Sequence, residues 1–165
     1  MAEALLMARI AERELPATVV SAGLLEGGHE RSPEVTAVLT KRGTALPDQL
    51  SRQLLRGDLQ RADLVLGMER AHVRHSVLLV PEAWARTFTL KELVRRGEEL
   101  GPRPPDESAD EWLARAHEGR DRPDLLGDSP LDDVADPSWG PSSAYEAAAT
   151  EIEDLVDRLL YLLWP

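Results

Sequence analysis

Residues 62–70 read ADLVLGMER, an apolar run that is broken by Gly67 and followed by charged residues. Residues 64–68 predict a short buried strand, and a helix is expected from about Glu69 to just before Pro81. A strand that leads into a helix in this way is typical of a parallel sheet in an α/β layer fold. Ligands of such folds bind at the carboxyl ends of the strands, where loops meet helix N-termini.

Further strands are predicted on either side of this unit, at residues 18–21 and at about 131–135. Helices are predicted at residues 2–14, 33–42 and 90–96, and a long final helix opens with Ser143-x-x-Glu146. A sheet of two or three strands is thin for such helices, and the first helix has no strand in front of it. We therefore expect a three-layer α/β fold, with a short parallel sheet flanked by helices and its first strand absent.

Composition limits the classes of function. The 165 residues suggest a single domain, 1–165, and the net charge of -11 argues against general nucleic-acid binding. No apolar run is long enough to span a membrane. The sequence has no cysteine, which excludes disulfides and cysteine-ligated zinc within these residues and fits a reducing cytoplasm. We expect a cytoplasmic protein.

A segment at about residues 97–128 is rich in Pro, Gly and charge. It contains GPRPPDES and GRDRPDLLGDSP, with a capped helical piece between them at Ser108-x-x-Glu111. We interpret this segment as an insertion into the single domain and as a mobile surface excursion.

Five short stretches carry a resemblance to a known family. They are MAEALL at residues 1–6, SAG at 21–23, SRQL at 51–54, ADLVLGMER at 62–70 and VADP at 134–137. In this order the chain resembles the low-molecular-weight protein tyrosine phosphatase family, which includes related arsenate reductases. The resemblance covers most of the chain except residues 97–128. It implies a phosphatase-like α/β fold and a phosphomonoester hydrolase that forms a phosphocysteine.

The resemblance also implies what is missing from the sequence. That family begins with a strand and a phosphate-binding loop, Cys-x5-Arg-Ser/Thr, and Met1–Ala4 match the residues that follow the loop. The strand, the nucleophilic cysteine and the phosphate-binding arginine are therefore not among these residues. We expect an N-terminally truncated record of a bacterial phosphatase that is catalytically incomplete as written.

Two candidate site residues follow from the resemblance. Asp136, in VADP, occupies the place of the general acid, which protonates the leaving group and later activates water. Trp139 stands where the family has aromatic side chains that line the mouth of the site. Without the resemblance, Asp136-Pro137 reads as an ordinary turn before a helix and Trp139 as a partly exposed packing residue.

Other site signals have simpler explanations. Residues 25–33, LEGGHERSP, imitate the phosphate loop with Leu25 in the place of cysteine, but Ser32-Pro33 is also an ordinary start of a helix. His72 and His75 are spaced for one face of a helix, yet they lack a third ligand at matching spacing. We expect no metal and no cofactor.

Three hypotheses remain open. The first is a truncated phosphatase acting on phosphotyrosine, phosphoarginine or arsenate, whose partner is a phosphorylated protein or a small phosphomonoester. The second is a non-catalytic binding or regulatory module on the phosphatase frame. The third is an unrelated α/β domain, in which Asp136 would lie far from the N-terminus of the first helix. All three exclude nucleic acid and membrane as partners, and a homodimer is one way to cover an exposed sheet edge.

Overall fold

Two short strands form the sheet. β1 (Val65–Gly67) and β2 (Thr87–Thr89) are parallel, with Val65 opposite Thr87 and Gly67 opposite Thr89. These and all later coordinates come from a computed structural model, which describes residues 1–45 and 50–165. β1 confirms the strand predicted at residues 64–68. The predicted class is also confirmed, since the fold is mixed α/β with a short parallel sheet and flanking helices.

The helices that the structure describes are α1 (Ala2–Glu12), α2 (Pro33–Lys41), α3 (Arg56–Arg61), α4 (Arg70–Leu79), α5 (Leu90–Leu100), α6 (Ala109–His117) and α7 (Ser142–Leu163), with 3₁₀ turns at Pro81–Arg86 and Arg122–Leu125. α2, α5 and α6 begin where capping residues predict them, whereas the last helix begins at Ser142, one residue before the predicted cap Ser143. The Ser32 hydroxyl accepts from the Val35 amide at 3.2 Å, and the Thr89 hydroxyl accepts from the Glu92 amide at 3.1 Å. Each cap satisfies a helix amide that has no partner inside the helix.

The chain divides into two compact units. The first comprises Met1–Leu54 and Asp136–Asp157. Val38 of α2 packs with Tyr145 and Ala149 of α7, and the half-buried side chains of Met1 and Val35 complete this cluster. Because these side chains stand on one stripe of each helix, the core of the first unit forms from amphipathic helix faces.

The second unit comprises Leu55–Ala135 and Arg158–Pro165 and contains the sheet. β2 is fully buried, with Phe88 at its middle. Val73 and Val77 of α4 pack with Leu125, and Trp84 lies partly buried against them. β2 ends at Thr89, because this residue is also the N-cap of α5.

The strand predicted at residues 18–21 is wrong. Val20 is 70% exposed, and the pairing nearby is an isolated parallel bridge between Gly23 and Gln53. The Ser21 amide donates to the Glu3 carboxylate at 3.1 Å instead of to a strand. An extended segment becomes a strand only when a neighbour takes up its backbone hydrogen bonds, and β-branched residues alone do not supply one.

The strand predicted at about 131–135 is also wrong, because this segment folds as a turn. The amides of Asp132 and Asp133 both donate to the Ser129 carbonyl, at 3.0 and 2.7 Å. Next to the turn, the Val134 amide donates to the Met68 carbonyl at 2.8 Å, just beyond β1. The apolar pattern at residues 131–135 thus marks a segment that lies beside the end of β1 but forms a turn instead of a strand.

Residues 97–128 are not a surface excursion throughout. Trp112 of α6 is fully buried, and Leu113 and Ala116 are buried beside it on the same helix. The guanidinium carbon of Arg120 lies 3.8 Å from the ring centroid of Trp84 and 4.0 Å from that of Phe88. The segment therefore contributes to the core of the second unit, whereas its status as an insertion stays a prediction.

Candidate active site

The first turn of α1 is attached to the SAG stretch. The Glu3 carboxylate accepts from the Ser21 amide at 3.1 Å and from the Ser21 hydroxyl at 2.8 Å. Glu3 stands in the first turn, where a negative side chain is favoured by the helix dipole. Two of the stretches that carry the resemblance, MAEA and SAG, are thus joined by a charge-assisted contact.

The charge of Arg31 acts at the start of α1. The pKa of the Met1 amino group is held below its ordinary value, first by burial and then by the charge of Arg31, while Glu3 acts in the opposite direction. Positive charge combined with unpaired amides makes a helix N-terminus suitable for an anion. Arg31 thus faces the start of α1, a placement that sequence patterns do not reveal.

The loop that contains Arg31 is built closely onto residues 51–54. The Gly28 amide donates to the Ser51 carbonyl at 2.8 Å, and the Ser51 amide donates to the His29 carbonyl at the same distance. A Cβ on Gly27 would lie 2.6 Å from the Ser51 carbonyl oxygen. Gly27 therefore permits the close backbone approach that holds SAG, LEGGHERSP and SRQL together.

Asp136 lies in an exposed turn directly before α7. Its Oδ1 accepts from the Ser138 amide at 3.0 Å, and the Gly140 amide donates to the Pro137 carbonyl at 2.9 Å. These bonds orient the carboxylate but leave it open to solvent. Its assignment as a general acid stays a prediction that this exposed position permits.

Trp139 stands in the same turn with its side chain fully exposed, at 101% of the reference area. Its φ of 67° lies in the left-handed region, which is costly for a large side chain. The interpretation of Trp139 as a packing residue does not fit this exposure. A side chain that makes no packing contact and sits on a strained backbone is suited to contact a ligand, and the site-wall role remains a prediction.

The turn with Asp136 and the start of α1 are associated with the same end of α7. Met1 packs against the cluster formed by Val38 of α2 and by Tyr145 and Ala149, which lie in the first turns of α7, the helix that Asp136 precedes. All of these residues belong to the first unit. That Asp136 and the start of α1 serve one site stays a prediction.

Within residues 1–45 and 50–165, histidine and acidic side chains do not gather into a metal site. The Nδ1 of His72 accepts from the Glu69 amide at 3.2 Å, so His72 helps to cap α4. Among the residues that the structure describes, no group of three His, Cys, Asp or Glu side chains could hold a metal ion.

A separate cleft of about 290 Å³ opens in the first unit. Leu5, Ala8 and Val156 give it apolar walls, and its charged side chains include Arg9 and Arg42. Both guanidiniums bind carboxylates, Arg9 that of Asp157 and Arg42 that of Glu153. The cleft contains neither Asp136 nor Trp139, so it is distinct from the candidate site.

The family model for low molecular weight phosphotyrosine protein phosphatases matches residues 1–114. The chain belongs to this family. A protein-arginine-phosphatase of Geobacillus stearothermophilus is 32% identical over 154 residues, which are 92% of this chain and 81% of that protein. The match confirms the resemblance that the five stretches predict.

Solved structures agree with the family assignment. A low molecular weight protein tyrosine phosphatase from T. tengcongensis superimposes with a TM-score of 0.71 at 28% identity, covering 96% of this chain and 86% of that one. An arginine phosphatase from Geobacillus stearothermophilus superimposes with a TM-score of 0.66 at 32% identity, over 96% and 79% of the two chains.

The family membership assigns this chain a phosphatase-type domain, and phosphorylated molecules are the substrates of this family. Within residues 1–45 and 50–165, no helix combines the length and the apolar character needed to cross a bilayer.

Proposed function

We propose that this chain forms the phosphomonoester hydrolase domain in which Asp136 is the general acid and Trp139 is a wall of the substrate site. The observation that carries the proposal is the packing of Met1 against the cluster of Val38, Tyr145 and Ala149, the last two of which lie at the end of α7 that Asp136 precedes. In this family, the general acid and the helix that follows the phosphate loop serve the same reaction. The charge of Arg31, which acts at the start of α1, supports the same location for the phosphate, because a cation and a helix N-terminus both favour an anion.

The chemistry requires a nucleophile that these residues do not contain. The sequence has no cysteine, so the thiolate of this family would come from outside the 165 residues. Residues 17–22 form neither helix nor strand and are mostly exposed, and the Ser21 amide donates to the Glu3 side chain. A segment of this kind suits pairing with a further strand, the element that precedes the phosphate loop in the family.

Within this scheme Asp136 acts on the leaving group. The family's thiolate would attack phosphorus and form a phosphocysteine while the protonated Asp136 carboxyl donates to the leaving atom, the ester oxygen of phosphotyrosine or the guanidine nitrogen of phosphoarginine. Water then attacks the phosphocysteine and gives a proton to the Asp136 carboxylate, which releases phosphate and the thiolate. Trp139 would flank the leaving group and limit the access of solvent. The exposed position of both side chains leaves room for a phosphorylated side chain of a protein.

In-frame translation of the DNA upstream of Met1 tests the origin of the nucleophile. We expect an apolar strand followed by Cys-x5-Arg-Ser/Thr. A stop codon close upstream would contradict this and would favour the alternative, a non-catalytic binding or regulatory module on the phosphatase frame.

Hydrolysis of p-nitrophenyl phosphate by the full-length protein tests the role of Asp136. We expect Asp136→Asn to lower kcat by about 10²–10⁴-fold, since general acid catalysis contributes that much. Asp106→Asn is the matched control, because Asp106 is also an exposed aspartate in a turn. An equal rate for both variants would refute the assignment of Asp136.

The substrate class needs a separate comparison. The 32% identical relative is named a protein-arginine-phosphatase, which favours phosphoarginine. A phosphotyrosine peptide, a phosphoarginine peptide and arsenate are the three substrates to compare on one preparation. The ranking of kcat/KM for these substrates decides among them.

A further inference from the structure

The turn that leads to Asp136 is held by an unusually dense set of charged contacts. Asp132 is only 6% exposed although it carries a carboxylate. Its Oδ2 accepts from the Nη2 and Nε of Arg70, at 2.6 and 3.1 Å, and its Oδ1 accepts from the Nη2 of Arg95 at 3.0 Å. Asp132 thus joins the first residue of α4 to the middle of α5.

The Asp133 carboxylate binds two backbone amides, one in α4 and one in the turn. Its Oδ1 accepts from the Arg70 amide at 2.7 Å, and its Oδ2 accepts from the Ser129 amide at 2.7 Å. The first bond satisfies an unpaired amide at the N-terminus of α4, where a carboxylate also interacts favourably with the helix dipole. The second bond closes the turn on itself.

Lys91 of α5 secures the carbonyl side of the same turn. Its ammonium donates to the Pro130 carbonyl at 2.8 Å and to the Asp133 carbonyl at 3.1 Å. One residue later the Val134 amide donates to the Met68 carbonyl at 2.8 Å. Only Ala135 separates this last anchored residue from Asp136.

The protonation state of Asp132 agrees with this geometry. Burial raises the pKa of the Asp132 carboxyl, but the hydrogen bonds and charges of Arg70 and Arg95 outweigh burial and hold the pKa below its ordinary value. Asp132 is therefore a carboxylate at neutral pH, and both arginines remain bound to it.

We propose that Arg70 is a positioning residue for the acid: through Asp132 and Asp133 it fixes the turn from which Asp136 is presented. The inference rests on the proposed role of Asp136. Chain connectivity carries the effect, because a backbone fixed at Val134 leaves few conformations for a carboxylate two residues later. Arg70 itself touches no reacting atom.

Hydrogen–deuterium exchange on the chain tests the anchoring directly. We expect Arg70→Gln to speed amide exchange in residues 129–135 by at least about tenfold, since the turn then opens locally. Arg74→Gln is the matched control, because Arg74 lies on the same helix and its Nη1 donates to the Leu125 carbonyl at 2.6 Å, outside this turn. Arg70→Lys keeps the charge but loses the two-pronged contact, and we expect an intermediate rate.

Fluorine NMR of the fluorotryptophan-labelled chain separates local repositioning from general destabilisation. We expect Arg70→Gln to shift the exposed Trp139 resonance and to leave that of the fully buried Trp112 in place. A shift of both, or an unchanged Trp139 resonance, would overturn the inference, as would exchange in residues 129–135 within about twofold of the parent chain.

Activity distinguishes this inference from the proposed function. In the full-length protein we expect Arg70→Gln to lower kcat by about tenfold or more and to change KM by less than about twofold, because positioning acts on the reacting geometry. If Asp136→Asn has no effect on kcat, the proposed function fails, but hydrogen–deuterium exchange still tests whether Arg70 anchors residues 129–135. If Asp136→Asn lowers kcat and Arg70→Gln does not, the positioning role alone fails.

Discussion

Gly97 lies in the middle of α5, at a point where a methyl group has no room. A Cβ there would lie 2.7 Å from a ring carbon of Trp112 and 2.8 Å from Cδ1 of Leu162. Trp112 is fully buried, and its indole N–H donates to the Gly101 carbonyl at 3.1 Å, which holds the ring in place. Glycine weakens a helix by its own propensity, so its presence here reflects packing.

We predict that Gly97→Ala lowers the free energy of unfolding by about 1–3 kcal/mol, because overpacking outweighs the gain in helix propensity. Gly57→Ala is the matched control. Its Cβ would meet the tip of the Arg61 side chain at 3.0 Å, and that side chain is 75% exposed and free to move aside. Urea unfolding of both variants measures the difference, and equal stabilities would refute the packing argument.

His117 makes the stability of the second unit depend on pH. Its Nδ1 lies 3.1 Å from Nη1 of Arg120, and because arginine only donates, Nδ1 must be the acceptor. Its ring packs edge-on against Trp84 with the centroids 5.3 Å apart. Burial lowers the pKa of His117 below 6.5, and the charges of Arg120 and Arg96 lower it further, while Glu92 acts in the opposite direction.

The lowered pKa of His117 sets the direction of the pH effect. Its contribution to stability is complete above the ordinary histidine pKa of about 6.5 and is lost as the pH falls through the lower folded value. We predict that Tm falls between about pH 7.5 and about pH 5 and that His117→Asn weakens this dependence, because the Asn oxygen accepts without titrating. His75→Asn, at an exposed histidine, should keep the full dependence.

Single residues differ in how far the sequence reveals them. Asp136 is predicted as a site residue from the resemblance at VADP, and this role stays a prediction. The contact of Arg70 with the Asp132 carboxylate cannot be predicted in this way, because the two residues lie 62 positions apart. Trp139 shows the same limit, because full exposure and a positive φ are properties of the fold.

At the scale of elements, helices are predicted more reliably than strands, and the reason is physical. The caps at Ser32, Thr89 and Ser108 act within four residues, so α2, α5 and α6 begin where the sequence indicates. A strand depends on a partner that local sequence does not specify. Residues 18–21 have the right residue types for a strand but remain exposed, and residues 131–135 turn to meet Arg70.

α2 is attached to α7 by the side chain of Arg42. Its guanidinium binds the carboxylates of Glu146 and Glu153, at 2.5 and 2.9 Å, and the Thr150 hydroxyl at 3.0 Å. The Arg42 side chain is only 14% exposed. Lys41 binds the same Glu146 at 3.0 Å, but its side chain is 73% exposed.

We predict that Arg42→Met lowers the free energy of unfolding by about 1–2 kcal/mol, since a partly desolvated network with several bonds is lost. Lys41→Met is the control and should cost less than about 0.5 kcal/mol, as expected for an exposed pair. Chemical unfolding at low and high salt provides the measurement. A loss for Arg42→Met that disappears in high salt would show that the network behaves as a surface pair.

At the scale of the molecule, exposed apolar side chains lie in residues 17–22, which form neither helix nor strand, and in the loop that follows them. Val20 is 70% exposed and Leu25 is 81% exposed. Exposed apolar side chains on a segment without regular structure favour association with another chain. The homodimer stays a prediction, and these side chains allow it to be tested.

We predict that the chain self-associates as its concentration rises and that Val20→Lys reduces the association. Leu78→Lys is the matched control, because Leu78 is a comparably exposed side chain, at 78%, on the helix α4. Sedimentation velocity over a range of concentrations gives the mass of the species. A monomer at every concentration, or an equal effect of both variants, would contradict the role of residues 17–22.

The contacts of Arg120 limit the changes that residues 97–128 can tolerate. Its guanidinium is sandwiched between the rings of Trp84 and Phe88 and paired with Glu92, all of which lie outside residues 97–128. Removing that segment would take the cation from both rings and would leave Glu92 with its longer contact to Arg96, at 3.5 Å. Removal of Arg120 therefore calls for compensating changes at Trp84, Phe88 and Glu92 to keep this part of the second unit packed.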